Sequence, residues 1–315
     1  MTAARPILAI GGPTATGKTA LAVEVALRLG GELVNADSRQ LMRRLLAGTA
    51  RPTEAEMRGV PCHLLAVCEP GEPYTVAQWL EAARGVLDDV ASRGVPPILV
   101  GGTGQYLRAL RQGWTFGGVP PVAEAREEIT AVASTPSGLH GLVAELRERD
   151  PDGAAAIDLA NPRRVIRALE VLRGGTAPLA VARGRSEGRS LALVVLDADR
   201  EWHRCALASR LDAMFSTGAI QAEVGAELDA GSTPGRLARA GIGYREAVAV
   251  LEGSMTVDEA VASVARRTRR YVKAQRTWFR HEPALLRLER SGDTPTSALA
   301  DQVLAGLVSP GGWPC

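Results

Sequence analysis

The run Gly12-Pro13-Thr14-Ala15-Thr16-Gly17-Lys18-Thr19 constrains this chain more than any other stretch. It matches the phosphate-binding loop pattern, Gly, four residues, Gly-Lys-Ser/Thr, without a gap. Its flanks agree with that pattern. Ile7-Leu8-Ala9-Ile10 reads as a short buried strand leading in, and residues 19–27 read as a helix leading out. In such a loop successive backbone N–H groups converge on phosphate oxygens, and the helix N-terminus adds positive potential. Of the 37 basic residues only Lys18 and Lys273 are lysines. A chain that uses arginine almost everywhere keeps a compact ammonium where it must fit against phosphate. The loop predicts a diphosphate or triphosphate ligand, with Lys18 at an exposed concave site, and does not choose between the two.

A chain of 315 residues has room for one large domain with an insertion, or for two domains. Its hydrophobic share of 46% and charged share of 23% are those of a soluble globular protein. Met1 leads almost directly into the first strand, so no signal peptide is expected, and no apolar run is long enough to span a membrane. Cys62, Cys68, Cys205 and Cys315 are scattered and form no Cys-x-x-Cys pair, so neither a zinc site nor a disulfide framework is expected and a cytoplasmic setting is. The net charge of +2 creates no global basic field; local arginine clusters must carry any argument for nucleic acid.

Strand and helix signals alternate through the first third. Residues 32–36 read as a second strand ending at Asp37-Ser38, residues 78–90 as an amphipathic helix, and residues 97–100 as a third strand running into Gly101-Gly102-Thr103-Gly104. Such alternation implies a parallel sheet covered by helices, with ligands at the carboxyl ends of the strands. The loop, Asp37-Ser38 and residues 101–104 should therefore meet around one crevice. Near Trp114 the pattern breaks into Gly and Pro, residues 122–172 read as helices only, and residues 174–190 are loose again. A strongly apolar strand at 191–197 resumes the core, followed by helices to the end. The expected architecture is an α/β core, P-loop NTPase-like, from residues 1–118 and 189–315, with a helical insertion at 119–188.

Beyond the loop, Asp37 could hold Mg²⁺, accept a proton, or cap the next helix. Thr103 lies in a turn whose glycines let backbone approach a ligand, or in an ordinary strand-to-helix turn. Arg163, Arg164 and Arg167 open one helix, with Arg163 and Arg167 on one face. Residues 266–280 are the densest basic stretch, interleaved with Tyr271, Trp278 and Phe279. Phosphate contacts with stacked bases would use both residue types; aromatic core packing beneath snorkelled arginines is the other reading. The four histidines are dispersed and build neither a triad nor a metal cluster.

Taken in order, Gly12 to Thr19, Asp37-Ser38-Arg39-Gln40, Gly48-Thr49-Ala50, His63-Leu64-Leu65, Tyr74 to Gln78, Gly101 to Leu107, Arg163 to Glu170, Gly241-Ile242-Gly243-Tyr244 and Arg269 to Arg280 resemble the tRNA dimethylallyltransferase (isopentenyl-tRNA transferase) family over residues 7–281. The resemblance implies that the loop binds the diphosphate of dimethylallyl diphosphate rather than ATP. The acceptor would be the exocyclic amine of the adenosine just after the anticodon of tRNA, with Mg²⁺ assisting. Lys18, Mg²⁺ on Thr19 and the backbone cradle would neutralise the leaving group. Asp37 would be general base or orienting acceptor for the weakly nucleophilic amine, with Thr103 beside it. The base must leave the stack, with Ser38 and Gln40 holding it. Contacts to tRNA would also come from Arg39, Arg126, Arg163, Arg164, Arg167, Arg270, Lys273 and Gln275, the insertion gripping the anticodon stem, and the enzyme would work as a monomer. The chain departs from the family's pattern at Met42, where Tyr is usual, at Arg51 for Lys, and at Ala206 and Ala274 in place of basic residues. Two other readings stand beside this one: prenyl transfer to a free adenine nucleotide, and a nucleotide-dependent kinase or switch with Asp197 as the spare carboxylate.

Overall fold

The computed structural model describes residues 6–115, 123–174, 186–292 and 294–308. Six strands form one sheet in the order β3-β2-β4-β1-β5-β6. They are β1 (Ile7–Gly11), β2 (Glu32–Asn35), β3 (Cys62–His63), β4 (Pro97–Gly101), β5 (Leu191–Ala198) and β6 (Leu286–Arg290). Every pairing is parallel, and β1 lies between β4 and β5, with Ile10 beside both Val100 and Val194. A parallel sheet is covered on both faces, so its central strands must be apolar throughout rather than alternating. Leu8, Ala9 and Ile10 are fully buried, as are Ile98, Leu99, Val194 and Leu196. The loop that leaves β1 emerges where connections diverge to opposite sides of the sheet, the place such folds keep for ligands.

Helix Lys18–Leu29 follows β1 and puts Leu21, Ala22 and Val25 into the core shared with Leu8, Ile10 and Val194; Gly30 closes it in the left-handed conformation. The helix expected over 78–90 runs from Val76 to Ser92, because Thr75 and Gln78 form a capping box that starts it two residues earlier. The expectation of helices alone after residue 197 is corrected by β6. Its sequence Leu286-Arg-Leu-Glu-Arg290 buries only Leu288 and shows charge elsewhere, as an edge strand should. The two-residue β3 at the other edge also escaped the sequence reading.

Two compact units divide the chain: residues 1–111 with 189–315, and residues 112–188. The second has its own core, in which Ile129, Leu142, Leu146, Val165 and Leu169 pack together. Its helix Pro162–Arg173 starts at Asn161, whose side chain accepts from Arg163 N. Arg163 and Arg164 are exposed, whereas Arg167 and Arg126 turn to Glu170, which is fully buried, at 3.1 and 3.5 Å. Of the Gly- and Pro-rich break read at 113–121 and the second stretch read at 174–190, residues 116–121 and 175–185 lie outside the described residues, as do residues 309–315 of the tail. No described helix is long and apolar enough to cross a membrane.

Candidate active site

The loop after β1 takes a shape only its own sequence allows. Gly12 sits at φ 144°, where a methyl group would collide with the Leu196 carbonyl of the neighbouring strand, and Gly17 at φ 84°. If the loop holds diphosphate, as its sequence predicts, inorganic diphosphate should raise the melting temperature of the wild type and not that of Gly12→Ala; an alanine variant with the same shift as the wild type would show the loop tolerates the change. Inside the loop Thr16 Oγ1 donates to the Pro13 carbonyl at 3.0 Å, and Lys18 Nζ donates to the same oxygen. Lys18 is 9% exposed, not on open surface as the sequence suggested. Burial lowers its pKa to about 8; Arg210 adds to the effect while Asp37 and Asp197 oppose it.

Thr103 is bonded to the residues on either side of Asp37, Ala36 and Ser38. Gly101 packs so closely on the Ala36 backbone that a side chain would collide there. Thr103 N donates to the Ala36 carbonyl at 3.1 Å, Ser38 N donates to Thr103 Oγ1 at 2.9 Å, and Thr103 Oγ1 donates to Ser38 Oγ at 3.2 Å. Asn35, 1% exposed, braces Asp37 from behind: its Oδ1 accepts from Asp37 N, and its Nδ2 donates to the Asp37 and Leu64 carbonyls. Asp37 Oδ1 accepts from Arg39 N at 2.9 Å. Its Oδ2 has no hydrogen-bond partner among the described residues. One carboxylate oxygen thus fixes a turn, and the expectation that Asp37 caps the next helix is corrected, since the next helix, Glu54–Met57, is capped by Thr53; the other oxygen lies beside Gly102.

Thr14, in the loop, is held from three directions. Gln275 Oε1 accepts from its N at 2.9 Å, Arg210 donates to its Oγ1 at 2.7 Å, and His203 Nε2 lies 2.8 Å from its carbonyl. Gln275, expected to face tRNA, is 5% exposed, and its amide nitrogen donates to the Gly102 carbonyl at 2.9 Å. It ties the loop to the Gly101–104 turn from within. Arg210 also donates to the Gly48 carbonyl at 3.1 Å, and burial lowers its pKa. One turn before it stands Ala206, where the resemblance leads one to expect a basic residue, so Arg210 is the only arginine of that turn pair to reach Thr14 among the described residues.

Around these groups opens a cavity of about 80 Å³, lined among others by Thr14, Asp37, Arg210 and Tyr271, with Leu207, Leu211, Met214 and Ile242 forming an apolar wall. Its rim unites distant motifs. A side chain at Gly48 would collide with the Tyr244 ring; the Tyr244 hydroxyl donates to Glu223 at 2.8 Å, and Glu223 accepts from Leu46 N and Ala47 N. Arg39 donates to the Ala240 carbonyl at 3.2 Å, and Gln40 to the Ala50 carbonyl at 2.8 Å. The departures Met42 and Arg51 touch: Arg51 donates to the Met42 carbonyl at 3.0 Å.

The basic stretch lies on helix Val257–Arg280, whose buried stripe is Ala260, Val264, Thr268, Val272, Gln275 and Phe279. Phe279 packs on Gly11, and Trp278 packs on Gly104 beneath Arg108, 4.8 Å from its ring. Those two aromatics hold the motif glycines rather than a base; only Tyr271 lines the cavity. Arg267 pairs with buried Glu246 at 2.7 Å and Arg276 with Asp197 at 2.9 Å. The remaining cations, Arg266, Arg269, Arg270, Lys273 and Arg280, form one exposed stripe with no carboxylate partner among the described residues.

Thr19, at the start of its helix, is half-buried, and its hydroxyl makes no hydrogen bond among the described residues. No group of three or more His, Cys, Asp or Glu among the described residues is arranged to hold a metal. A protein hydroxyl with at most one or two carboxylates suits Mg²⁺ that takes its other ligands from water and phosphate oxygens.

Comparison with known proteins agrees with this geometry. The IPP transferase family matches residues 40–282, and the isopentenyl transferase family matches residues 6–66. The chain is 42% identical to the tRNA dimethylallyltransferase of Salinispora tropica, over 92% of this chain and 90% of that one. It is 37% identical to that of Pelotomaculum thermopropionicum, over 95% of each. Among solved structures it is similar to the tRNA isopentenylpyrophosphate transferase of Bacillus halodurans, at 32% identity, TM-score 0.67 and 96% of both chains. The fold is also that of a eukaryotic dimethylallyltransferase acting on tRNA, at 23% identity and TM-score 0.79, over 96% of this chain and 78% of that one.

Proposed function

The chain belongs to the IPP transferase family, and from that premise we propose that it transfers a dimethylallyl group from dimethylallyl diphosphate to the exocyclic N6 amine of the adenosine 3′ of the anticodon in tRNA, releasing diphosphate. The observation that carries the reading is the cavity in which a phosphate loop, a half-free carboxylate and an apolar wall meet. The loop and Lys18 receive the diphosphate, and the apolar side chains receive the five-carbon group. The carbon–oxygen bond to diphosphate breaks and the nitrogen–carbon bond forms. Asp37 Oδ2 accepts the amine proton, with Thr103 and Ser38 keeping the turn in place. Lys18 and Arg210 take up the charge that develops on the leaving diphosphate, the interaction that grows most strongly toward the transition state. Mg²⁺ bound at Thr19 would supply further charge neutralisation on the diphosphate.

The exposed stripe on helix Val257–Arg280 and the exposed Arg163 and Arg164 favour a polynucleotide acceptor over a free nucleotide, because a small acceptor has no use for cations spread along helices. The kinase reading is disfavoured by Asp197, whose two oxygens accept from Arg276 Nε at 3.0 and 3.1 Å. Labelled dimethylallyl diphosphate offered with tRNA, AMP or ATP separates these readings. Label should pass to tRNA alone; label on AMP would favour the free-nucleotide reading, and phosphate transfer from ATP the kinase.

Salt dependence tests the tRNA surface. Each lost phosphate contact should lower the log–log salt slope by roughly 0.7 to 0.9. Arg270→Ala with Lys273→Ala, and separately Arg163→Ala with Arg164→Ala, should each flatten the slope and raise the KM for tRNA while sparing that for donor. Arg126 and Arg167, engaged with Glu170, should contribute less. A slope unchanged in either double variant removes that surface from the interface.

A further inference from the structure

All three polar groups of Thr14 are held by residues far along the chain, and the holder of its carbonyl, His203, is itself held in one tautomer. Arg276 Nη2 lies 3.0 Å from His203 Nδ1. A guanidinium only donates, so Nδ1 carries the lone pair and Nε2 carries the hydrogen that points at Thr14. Arg276 is fixed in turn: its Nε donates to both oxygens of Asp197, and its Nη2 also to the Ala198 carbonyl at 2.8 Å. The chain of bonds runs from the end of β5 through Arg276 and His203 to the loop. The ring is 2% exposed. Burial lowers its pKa, and Arg276 and Lys18 work in the same direction against Asp197 and the Thr14 bond, which favours the neutral form this geometry needs.

We infer that His203 is a positioning residue for the donor-binding loop, orienting Thr14 through a neutral Nε2–H that Asp197 and Arg276 set in place. The inference rests on the proposal that donor diphosphate sits on this loop. The loop needs such a hold. Ala15, the next residue, lies at φ 61°, in the left-handed region that disfavours residues other than glycine. A loop already in its bound shape binds diphosphate without first being ordered, and a loop released at Thr14 does not. Asp197, the spare carboxylate of the sequence reading, thereby acts on the loop through two side chains.

The test compares His203→Leu, which fills the same space without an N–H, with His203→Gln, whose amide N–H reaches toward the Thr14 carbonyl. Steady-state kinetics give KM for donor and for tRNA separately, calorimetry gives the affinity for inorganic diphosphate, and melting temperature reports folding. His203→Leu should raise the donor KM and weaken diphosphate binding about tenfold, the loss of one buried hydrogen bond, with tRNA KM and melting temperature little changed. His203→Gln should recover most of the donor affinity. Wild-type donor KM and diphosphate affinity in the leucine variant would overturn the assignment, and so would a glutamine variant as impaired as the leucine one. If His203→Leu does not fold, Arg276→Met interrupts the same link and should show the same split; unchanged donor and diphosphate affinity there would overturn it equally. Wild-type protein that binds diphosphate but transfers nothing to tRNA would count against the proposed reaction and leave the role of His203 to the binding measurement.

Discussion

Lys18→Met is expected to abolish prenyl transfer and to make the protein more stable. The ammonium is buried, and burial lowers its pKa from 10.5 to about 8. A group that binds its proton more weakly when folded than when unfolded destabilises the fold wherever that proton is bound. Here the penalty is fully present below about pH 8 and is relieved as pH rises from about 8 toward 10.5. A difference of that size corresponds to about 3 kcal/mol. Methionine keeps the length and removes the charge, so its melting temperature near neutral pH should exceed that of the wild type, and the gap should narrow at high pH. In the proposed reaction the same ammonium is the loop's compact cation for diphosphate, so donor affinity should collapse. In the wild type, kcat/KM for donor should fall as pH rises through about 8, because the free enzyme then loses the Lys18 proton. Thermal denaturation and donor binding on the two proteins check this; a methionine variant with near-normal donor affinity would remove Lys18 from the site.

Asp37→Asn should lower kcat by roughly 10²–10⁴-fold and change donor KM little. Asparagine keeps the size and the oxygen that accepts from Arg39 N, so the turn braced by Asn35 and Thr103 should persist. What is lost is the ability of the second oxygen to take a proton. Single-turnover transfer with saturating donor isolates that step. If donor affinity collapsed while transfer from bound donor held, Asp37 would be acting on the diphosphate or its metal instead.

These two residues were legible in the sequence because their motifs are local. A loop eight residues long and a strand ending in Asp-Ser carry their own geometry, and the apolar runs at β1, β4 and β5 announced a parallel sheet. What was not legible depended on partners far away. Gln275 lies 261 positions from Thr14, and nothing in the local sequence separates a glutamine that bridges two loops from one that faces RNA. The same holds for His203, which looked like one of four scattered histidines, and for Arg210. Within the basic stretch, helical spacing was available: stepping by three and four from Val264 through Thr268, Val272 and Gln275 to Phe279 marks the buried face. That step places Arg269, Arg270 and Lys273 outside and Arg276 at the boundary. β6 was lost because charged residues occupy three of its five positions, a pattern fit for an edge.

The reaction itself is tested most directly by mapping the product. tRNA lacking the modification is incubated with the protein and dimethylallyl diphosphate, digested to nucleosides and oligonucleotides, and analysed by mass spectrometry. The expected result is one dimethylallyl group on N6 of the adenosine immediately 3′ of the anticodon, with none formed by the Asp37→Asn protein on the same timescale. Unmodified tRNA after incubation with folded, donor-binding wild-type protein, or a dimethylallyl group on a different nucleotide, would contradict it.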